Sequence, residues 1–187
     1  MQTVQKEKPI LPAKNQKNPG RKLCLELLEN YGTPGHVVNH CIAVTETALR
    51  IAKALNAMGN SLDLSMLESA ALLHDVARAE DNHSLRGAEF VESLGYCEIA
   101  DLIRSHMTYS TDPKKIEISE LDILCLADRM VKENTYVGIE ERMDYILEKC
   151  KNDPVATERI KLRRDEIRQL CQRIESLIGV SMDELMT

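Results

Sequence analysis

The sequence predicts an all-α protein, a bundle of helices that ends in a long C-terminal helix. Hydrophobic residues make up 43% of the 187 residues, which is enough for a sizeable core in one domain. Glycine and proline are scarce, at 8 and 6 residues, whereas a sandwich of short strands needs many turn residues. Apolar residues also recur at helical spacing along most of the chain, as expected for helices with one face in a core.

The first two helices are marked by residues typical of helix ends. Asn18 before Pro19 predicts an N-cap and a first turn, and Gly32 predicts where the first helix stops. The segment from about Pro34 to Asn56 has an apolar stripe at helical spacing. It therefore predicts a long second helix.

The later segments continue the helical pattern. LDLSMLESAALLHDVAR predicts a third helix, and because it is apolar nearly all round after Glu68 it should be the central one. Further helices are expected at about Ser84–Leu94, Glu98–His106, Glu120–Lys132, Ile139–Cys150 and Pro154–Ile178. HMTYSTDPKK is expected to be a loop, since Asp112-Pro113 favours a turn. The charges of the last helix predict a solvated face, and its apolar stripe should pack on the domain or on a second subunit, as in a homodimer.

Composition and charge exclude several classes of protein. Residues 1–18 are polar and basic without an apolar h-region, so we expect a disordered leader followed by a single domain over residues 19–187. The net charge of −6 argues against nucleic acid as the main partner, because duplex binding needs clustered Lys and Arg. Apolar runs of about 18 residues, which a membrane span needs, are absent from the sequence. The six cysteines lack a C-x-x-C spacing and lie mostly in apolar helical patterns, which is typical of free thiols in a reducing cytoplasm.

Several ionisable residues are expected where apolar residues would normally stand. Asp128 shares a predicted helix face with Leu121 and Leu124, so its carboxylate needs a cation nearby. Asp75 ends the most apolar helix, beside His74; their side chains diverge by about 100°, yet at a helix end both can reach one metal ion. A mixed His/Asp ligand set suits divalent Fe, Mn, Ni, Co or Zn.

Two more histidines, His36 and His40, are candidates for the same metal site. His36 and His40 lie four residues apart, so they project from one face of the second predicted helix. Such a pair can bind one metal ion, or it can place one imidazole on the metal and the other towards a substrate. The alternative is structural, with the His and Asp residues forming buried polar networks.

The order of these residues carries a family resemblance. His40, His74-Asp75 and Asp128 resemble the H…HD…D pattern of the HD-domain superfamily of metal-dependent phosphohydrolases. HCIAVTETALRIA is similar to the family's H-x-x-x-V-x-x-x-A helix, AALLHDVAR to its apolar helix ending in HD, and LCLADRM to its A-D-[KR] helix. The resemblance covers roughly residues 34–148, with residues 154–187 as a helical extension. It is nearest to HD domains linked to molybdenum-cofactor nucleotidyltransferases.

The resemblance implies an all-helical HD bundle and a metal site. Its implied ligands for a divalent transition metal ion, Fe, Mn, Ni, Co or Zn, are His40, His74, Asp75 and Asp128. His83 and His106 match positions that some HD subfamilies use for a second metal ion or for substrate phosphate, so one or two ions are expected. The chain lacks the G-Y-P segment of the cyclic-dinucleotide branch, and its Glu80-Asp81 pair comes two residues later than in the alarmone hydrolases.

The function implied is hydrolysis of a phosphate ester or phosphoanhydride of a nucleotide or other small phosphorylated metabolite. Asp75 is the candidate general base, and Arg78, one turn beyond His74, is the first candidate for a phosphate clamp. His36, Arg129 and Lys132 are further candidates for substrate binding. The alternative function is a non-catalytic HD module that binds metal and nucleotide as a sensor or partner-binding unit.

Overall fold

The all-α prediction is confirmed. A computed structural model describes residues 17–110 and 117–187. The helices within these ranges are α1 Arg21–Tyr31, α2 Gly35–Ala57, α3 Leu64–Leu73, α4 His83–Ser93, α5 Cys97–Ser105, α6 Glu120–Asp128, α7 Gly138–Cys150, α8 Pro154–Ile178 and α9 Met182–Met186. Strands β1 Val131–Lys132 and β2 Thr135–Tyr136 form an antiparallel hairpin. The expected leader falls almost entirely outside the described residues, as does the second half of the loop expected at HMTYSTDPKK.

Helix α3 is the centre of the bundle, as its all-round apolar sequence predicts. It packs against α1, α2, α5 and α6. Leu67, Leu72 and Leu73 are fully buried. Because helices surround α3 on several sides, the residues that follow Leu73 emerge inside the bundle rather than on its surface.

Two predicted helices end earlier than expected. The third was expected to continue through Arg78, but its α-helical bonding ends at Leu73. Successive turns follow, in which the amide of Arg78 donates to the carbonyl of Asp75 at 2.9 Å. The sixth was expected to run to Lys132, but α6 ends at Asp128 and the chain enters the hairpin.

Helix caps explain several of the remaining element boundaries. The predicted cap Asn18 is wrong by two residues, since Gly20 occupies the N-cap of α1. Gly32 ends α1 in the left-handed region with φ 82°, as its sequence position predicts. Asp63 caps α3 by accepting from the Met66 amide at 2.9 Å, and Ser119 forms a capping box at the start of α6.

The C-terminal helices cover one side of the bundle. Helix α8 packs against α7, α2 and α6, and it buries Ile167, Leu170 and Ile174 of the predicted stripe. Leu177 is 43% exposed, so the stripe is buried only in part. The homodimer stays a prediction. All six cysteines are free, and the described residues contain no helix long and apolar enough to cross a bilayer.

Candidate functional site

Six candidate ligands from five segments meet at one place in the bundle. His40 lies in the second turn of α2, and His74-Asp75 directly follow α3. His83 is the first residue of α4, His106 directly follows α5, and Asp128 is the last residue of α6. We call these six residues the histidine–aspartate centre. The early ends of α3 and α6 place three of them at helix termini, where side chains can converge.

The centre divides into two groups of three. His40, His74 and Asp128 form one group, and Asp75, His83 and His106 form the other; in each group the ligand atoms lie within 4.8 Å of one another. The imidazole rings follow each other in the order His40, His74, His106 and His83, with centroids 5.5, 5.3 and 5.7 Å apart. The groups touch where His74 Nε2 lies 3.7 Å from Asp75 Oδ2. Asp75, expected as a ligand beside Asp128, lies nearest to His83 at 3.2 Å and about equally far from His74 and His106, at 3.7 and 3.8 Å, so it stands between the two groups.

Backbone carbonyls fix the orientation of three of the imidazoles. The Nδ1 atoms lie 2.7 Å from the Glu133 carbonyl for His40, 2.8 Å from that of Ala71 for His74, and 2.6 Å from that of Ile103 for His106. A carbonyl oxygen only accepts hydrogen bonds, so each Nδ1 carries the proton. In its neutral form, each ring presents the Nε2 lone pair to the centre, which is the arrangement of a metal-ligating histidine.

The Nε2 atoms of His40 and His74 face carboxylate oxygens. The buried His74 Nε2 has no hydrogen-bond partner among the residues that the structure describes, and it lies 3.7 and 3.8 Å from oxygens of Asp75 and Asp128. His40 Nε2 lies 3.1 Å from Asp128 Oδ1. Lone pairs that face each other need a cation between them, either a proton or a metal ion. The donor set therefore fits a divalent transition metal ion.

Burial and neighbouring charges act in opposite directions on the two carboxylates. Burial alone would raise the pKa of Asp75, but the charge of His74 and the hydrogen bond with His83 bring it below its ordinary value. Burial would likewise raise the pKa of Asp128, and its hydrogen bond with His40 outweighs that effect and lowers it. Both carboxylates are therefore charged at neutral pH, as metal ligands must be.

The pKa values of His106 and His40 are shifted in opposite directions. Burial and the neighbouring His74 lower the pKa of His106 to about 4, so its ring is neutral at pH 7. Burial would also lower the pKa of His40, but the hydrogen bond with Asp128 raises it above its ordinary value. His40 thus attracts a proton in the place where a metal ion would otherwise compensate Asp128.

Arg78 lies at the edge of the centre. Its Nε atom is 3.5 Å from Asp75 Oδ2, and its Nη1 atom is 3.1 Å from His83 Nε2. The side chain is 48% exposed, so the guanidinium is accessible from solvent. The structure therefore places the predicted phosphate clamp beside the second group of ligands.

One cavity of about 1160 Å³ opens onto the centre. His40, Asp75, His106 and Asp128 line its inner side. A further part of its lining is formed by residues of α7 and α8, namely Arg142, Met143, Tyr145, Ile146, Lys149, Arg159, Ile160 and Arg163. The cavity thus joins the candidate ligands to a surface that the sequence-based site prediction did not include.

The three further candidates for substrate binding are placed differently. His36 lines the cavity but is exposed and belongs to neither group of ligands. Arg129 also lines it, is 7% exposed, and donates to the Cys125 carbonyl at 2.9 Å. Lys132 is not among the lining residues; its Nζ pairs with Glu141 at 3.1 Å and lies 5.0 Å from the centroid of the Tyr145 ring.

Two features of the site were missed by sequence reasoning. The Glu133 carbonyl that orients His40 belongs to the hairpin, which was predicted to be helix up to Lys132. A signal was present in VKENTY, where Asn lies between β-branched and aromatic residues. The cations of α8 were assigned to a solvated face, and periodicity does not show which part of that face borders a cavity.

Comparison with known proteins agrees with this geometry. The family model of the HD domain matches residues 37–132, about half of the chain. A tRNA (cytidine(56)-2'-O)-methyltransferase of Thermoplasma volcanium is 27% identical over 183 residues, which cover 89% of this chain but only 50% of that protein. An uncharacterized protein of Methanocaldococcus jannaschii is 28% identical over 162 residues, which cover 78% of this chain and 95% of that protein.

The chain thus spans half the length of the methyltransferase and nearly all of the Methanocaldococcus protein. No solved structure matches. The likeness to HD domains linked to molybdenum-cofactor nucleotidyltransferases stays a prediction. The matched residues 37–132 contain all six members of the histidine–aspartate centre, and the chain belongs to the HD domain family.

Proposed function

We propose that the protein is a metal-dependent phosphohydrolase that cleaves a phosphate ester or phosphoanhydride of a nucleotide or other small phosphorylated metabolite. One observation carries the proposal: imidazole Nε2 atoms and two carboxylates converge on a cavity with lone pairs facing each other. Membership in the HD domain family supports metal-dependent phosphate hydrolysis as the chemistry.

The two groups of ligands suggest how metal would be held. His40, His74 and Asp128 would hold one divalent ion, and Asp75, His83 and His106 would hold another, with Asp75 at the boundary between them. Fe, Mn, Ni, Co and Zn all accept such mixed nitrogen and oxygen ligands. A bound divalent ion would neutralise phosphate charge and lower the pKa of a water molecule.

The contacts of Asp75 favour a ligand role over the predicted role as general base. Its Oδ1 lies 3.2 Å from His83 Nε2, and its Oδ2 lies 3.7 Å from His74 Nε2. Neither oxygen is therefore free of a candidate metal-binding nitrogen. A carboxylate whose pKa is held below its ordinary value is also a weak proton acceptor.

Two arginines beside the centre, Arg78 and Arg129, would support the reaction of the phosphoryl group. Hydrolysis joins a water oxygen to phosphorus and releases the leaving oxygen, and negative charge grows on the phosphoryl oxygens meanwhile. Arg78, half exposed beside Asp75 and His83, can donate to such an oxygen without leaving its position. Arg129 is fixed by the Cys125 carbonyl and lies 3.7 Å from Asp128 Oδ2, so it would help to orient that carboxylate.

The test combines metal content with phosphate release. We expect protein purified without chelator to hold one or two equivalents of a transition metal and to release phosphate from members of a panel of nucleotides and phosphorylated metabolites. Asp75→Asn should lower phosphate release by more than about 100-fold, beyond the loss typical of a residue that only supports a ligand. Asp101→Asn is the matched control, because Asp101 is an exposed carboxylate on α5 that pairs with Arg104.

Three outcomes separate the alternatives. Metal and nucleotide binding without phosphate release from any substrate would identify a sensor or partner-binding module. Failure to bind metal, together with unchanged melting temperature after addition of Mn or Fe, would identify a purely structural network. Phosphate release that Asp75→Asn leaves intact would come from a contaminant, and the proposal would be withdrawn.

A further inference from the structure

The part of the cavity lining that α7 and α8 form carries an excess of positive charge. We define the basic wall as Arg142 and Lys149 of α7 with Arg159 and Arg163 of α8, all of which line the cavity. The whole chain has a net charge of −6, so this local excess runs against the overall balance. The family model ends at residue 132, and the basic wall therefore lies outside the matched HD segment.

The cations of the basic wall differ from other cations on the same helices. Arg164 and Arg168 of α8 both pair with Glu140, and Arg164 also pairs with Asp144 at 2.8 Å. Within the described ranges, the four members of the basic wall have no carboxylate oxygen within 4.0 Å. Helix α8 thus pairs the arginines on one part of its surface closely with carboxylates and leaves Arg159 and Arg163 at the cavity without such a pair, although the charge of Glu166 acts on Arg163 from a greater distance.

Two members of the basic wall, Arg142 and Arg163, are partly removed from water. The Nε atom of Arg142 is buried, and no acceptor for it lies among the residues that the structure describes. Arg163 is half-buried and donates to the Met107 carbonyl at 2.9 Å. Partly buried cations without anions are costly, and a bound anion would relieve that cost.

The basic wall is connected to the centre through Arg129. This arginine is 7% exposed, and its Nη1 atom lies 3.7 Å from Asp128 Oδ2. Burial and the neighbouring positive charge of Arg129 lower the pKa of Arg163, which indicates that like charges face one another here. Arginine charge therefore extends from the edge of the centre to α8 along one cavity.

We propose that the basic wall binds a second phosphate group of the substrate, while a first phosphate lies at the histidine–aspartate centre. This inference rests on the proposed function for the identity of the first group. Guanidinium groups match phosphate oxygens in geometry and charge. The cavity of about 1160 Å³ is larger than a single phosphate needs and lies at the upper end of small-molecule sites. The substrate is then a nucleotide-type compound with at least two phosphates, joined by an anhydride or by a phosphodiester.

The test measures binding, so that it does not depend on turnover. Affinities for AMP, ADP and a 5′-phosphorylated dinucleotide are measured by calorimetry in three proteins: Asp75→Asn, Asp75→Asn with Arg159→Gln and Arg163→Gln, and Asp75→Asn with Arg164→Gln. We expect a ligand with two phosphates to bind the first protein at least about tenfold more tightly than AMP. The ratio of the two affinities should fall towards one in the protein with Arg159→Gln and Arg163→Gln. It should persist in the protein with Arg164→Gln, since Arg164 is paired with Glu140.

The ligands distinguish the two sources of the second phosphate. A preference for ADP assigns it to an anhydride, and a preference for the dinucleotide assigns it to a phosphodiester. Equal affinity for all three ligands overturns the inference, as does a preference that survives Arg159→Gln with Arg163→Gln. If the parent protein releases phosphate from no substrate but the preference for two phosphates still depends on the arginines, the proposed hydrolysis is wrong. The phosphate-binding site at the basic wall would then still stand.

Discussion

The histidine–aspartate centre and the basic wall line the same cavity, but they are built from opposite kinds of contact. In the centre, acceptor atoms face acceptor atoms, and the imidazoles are fixed by backbone carbonyls at 2.6–2.8 Å. In the basic wall, donors are in excess, and Arg159 and Lys149 are exposed side chains on long flexible stems. The first arrangement needs a cation, and the second needs an anion.

The difference teaches where each property of the site is encoded. All six residues of the centre lie in the matched segment 37–132, at the ends or in the first two turns of packed helices. The basic wall lies on α7 and α8, which follow that segment. We therefore expect metal binding to depend on the rigidity of the bundle, and ligand choice to depend on the charges of the C-terminal helices.

The largest effect that we expect from a change in the bundle is a loss of metal affinity when Glu133 is replaced, and it tests whether the centre is rigid. Its backbone has φ 56°, and its carbonyl accepts from Nδ1 of His40. Proline cannot adopt a positive φ, so Glu133→Pro should displace the carbonyl and release the imidazole. We expect metal affinity, measured by competition with a chelating dye, to fall by about 10- to 100-fold, as for other residues that orient a ligand.

The matched control is Glu133→Gly. Glycine adopts positive φ without strain, so the carbonyl should stay in place and metal affinity should be unchanged. Circular dichroism checks that both variants remain folded. If Glu133→Pro binds metal as tightly as the parent protein, the orientation of His40 is set elsewhere, and the hairpin has no part in the centre.

A smaller effect is expected where α4 approaches the turn after α3. A Cβ atom on Gly87 would lie 3.0 Å from Val76 Cγ1 and 3.5 Å from Ile103 Cγ2. Gly87→Ala should lower the free energy of unfolding in urea by about 1 kcal/mol, because Val76 must shift in a packed core. Since Val76 follows Asp75, metal affinity should also weaken slightly.

Gly35→Ala is the control for Gly87→Ala. Gly35 begins α2, has an ordinary helical φ, and would place its Cβ with no atom within 4 Å. Alanine favours helix over glycine, so stability should be unchanged or higher. A Gly87→Ala variant as stable as Gly35→Ala would mean that the turn after α3 yields easily, contrary to a rigid centre.

The sequence signals that predict the centre are local. His74-Asp75 and Asp128 stand out as ionisable residues on apolar helices, and the structure brings them together with His40. The division of these residues into two groups has no such local signal. It depends on where α3 and α6 stop, and periodicity predicted both ends several residues too late. Tertiary packing and the hairpin at residues 131–136 determine those ends.

The basic wall shows that hydrophobic periodicity does not indicate which cations of a helix are paired and which line a cavity. Arg159 and Arg163 lie four residues apart and share one side of α8, and Arg164 diverges from Arg163 by about 100°, but this spacing does not show which side borders a cavity. Arg164 is compensated only because α7 brings Glu140 and Asp144 beside it. Arg163 borders the cavity only because α8 packs against α6. Such differences between neighbouring charges arise from helix pairing, which a single sequence does not specify.

The smallest expected effect separates compensated cations from those of the basic wall. Hydrogen bonds from Arg168 and Arg164 lower the pKa of Glu140 from 4.5 to about 2. A lowered pKa means that this carboxylate stabilises the fold above about pH 4.5 and loses that contribution as the pH falls towards 2. Because its side chain is 55% exposed, solvent screens the pair, and Glu140→Gln should cost well under about 1 kcal/mol at pH 7.

Urea unfolding of the parent and Glu140→Gln proteins from pH 7 to pH 2 measures this difference. The gap between the two should narrow below pH 4.5 and shrink in high salt. Affinity for ADP should be unchanged in Glu140→Gln, because Arg164 and Arg168 are not among the residues that line the cavity. If ADP instead binds differently to the variant, the released arginines have reached the ligand. Ion pairing with Glu140 would then determine how many cations face the cavity, and the basic wall would include the compensated arginines of α8 as well.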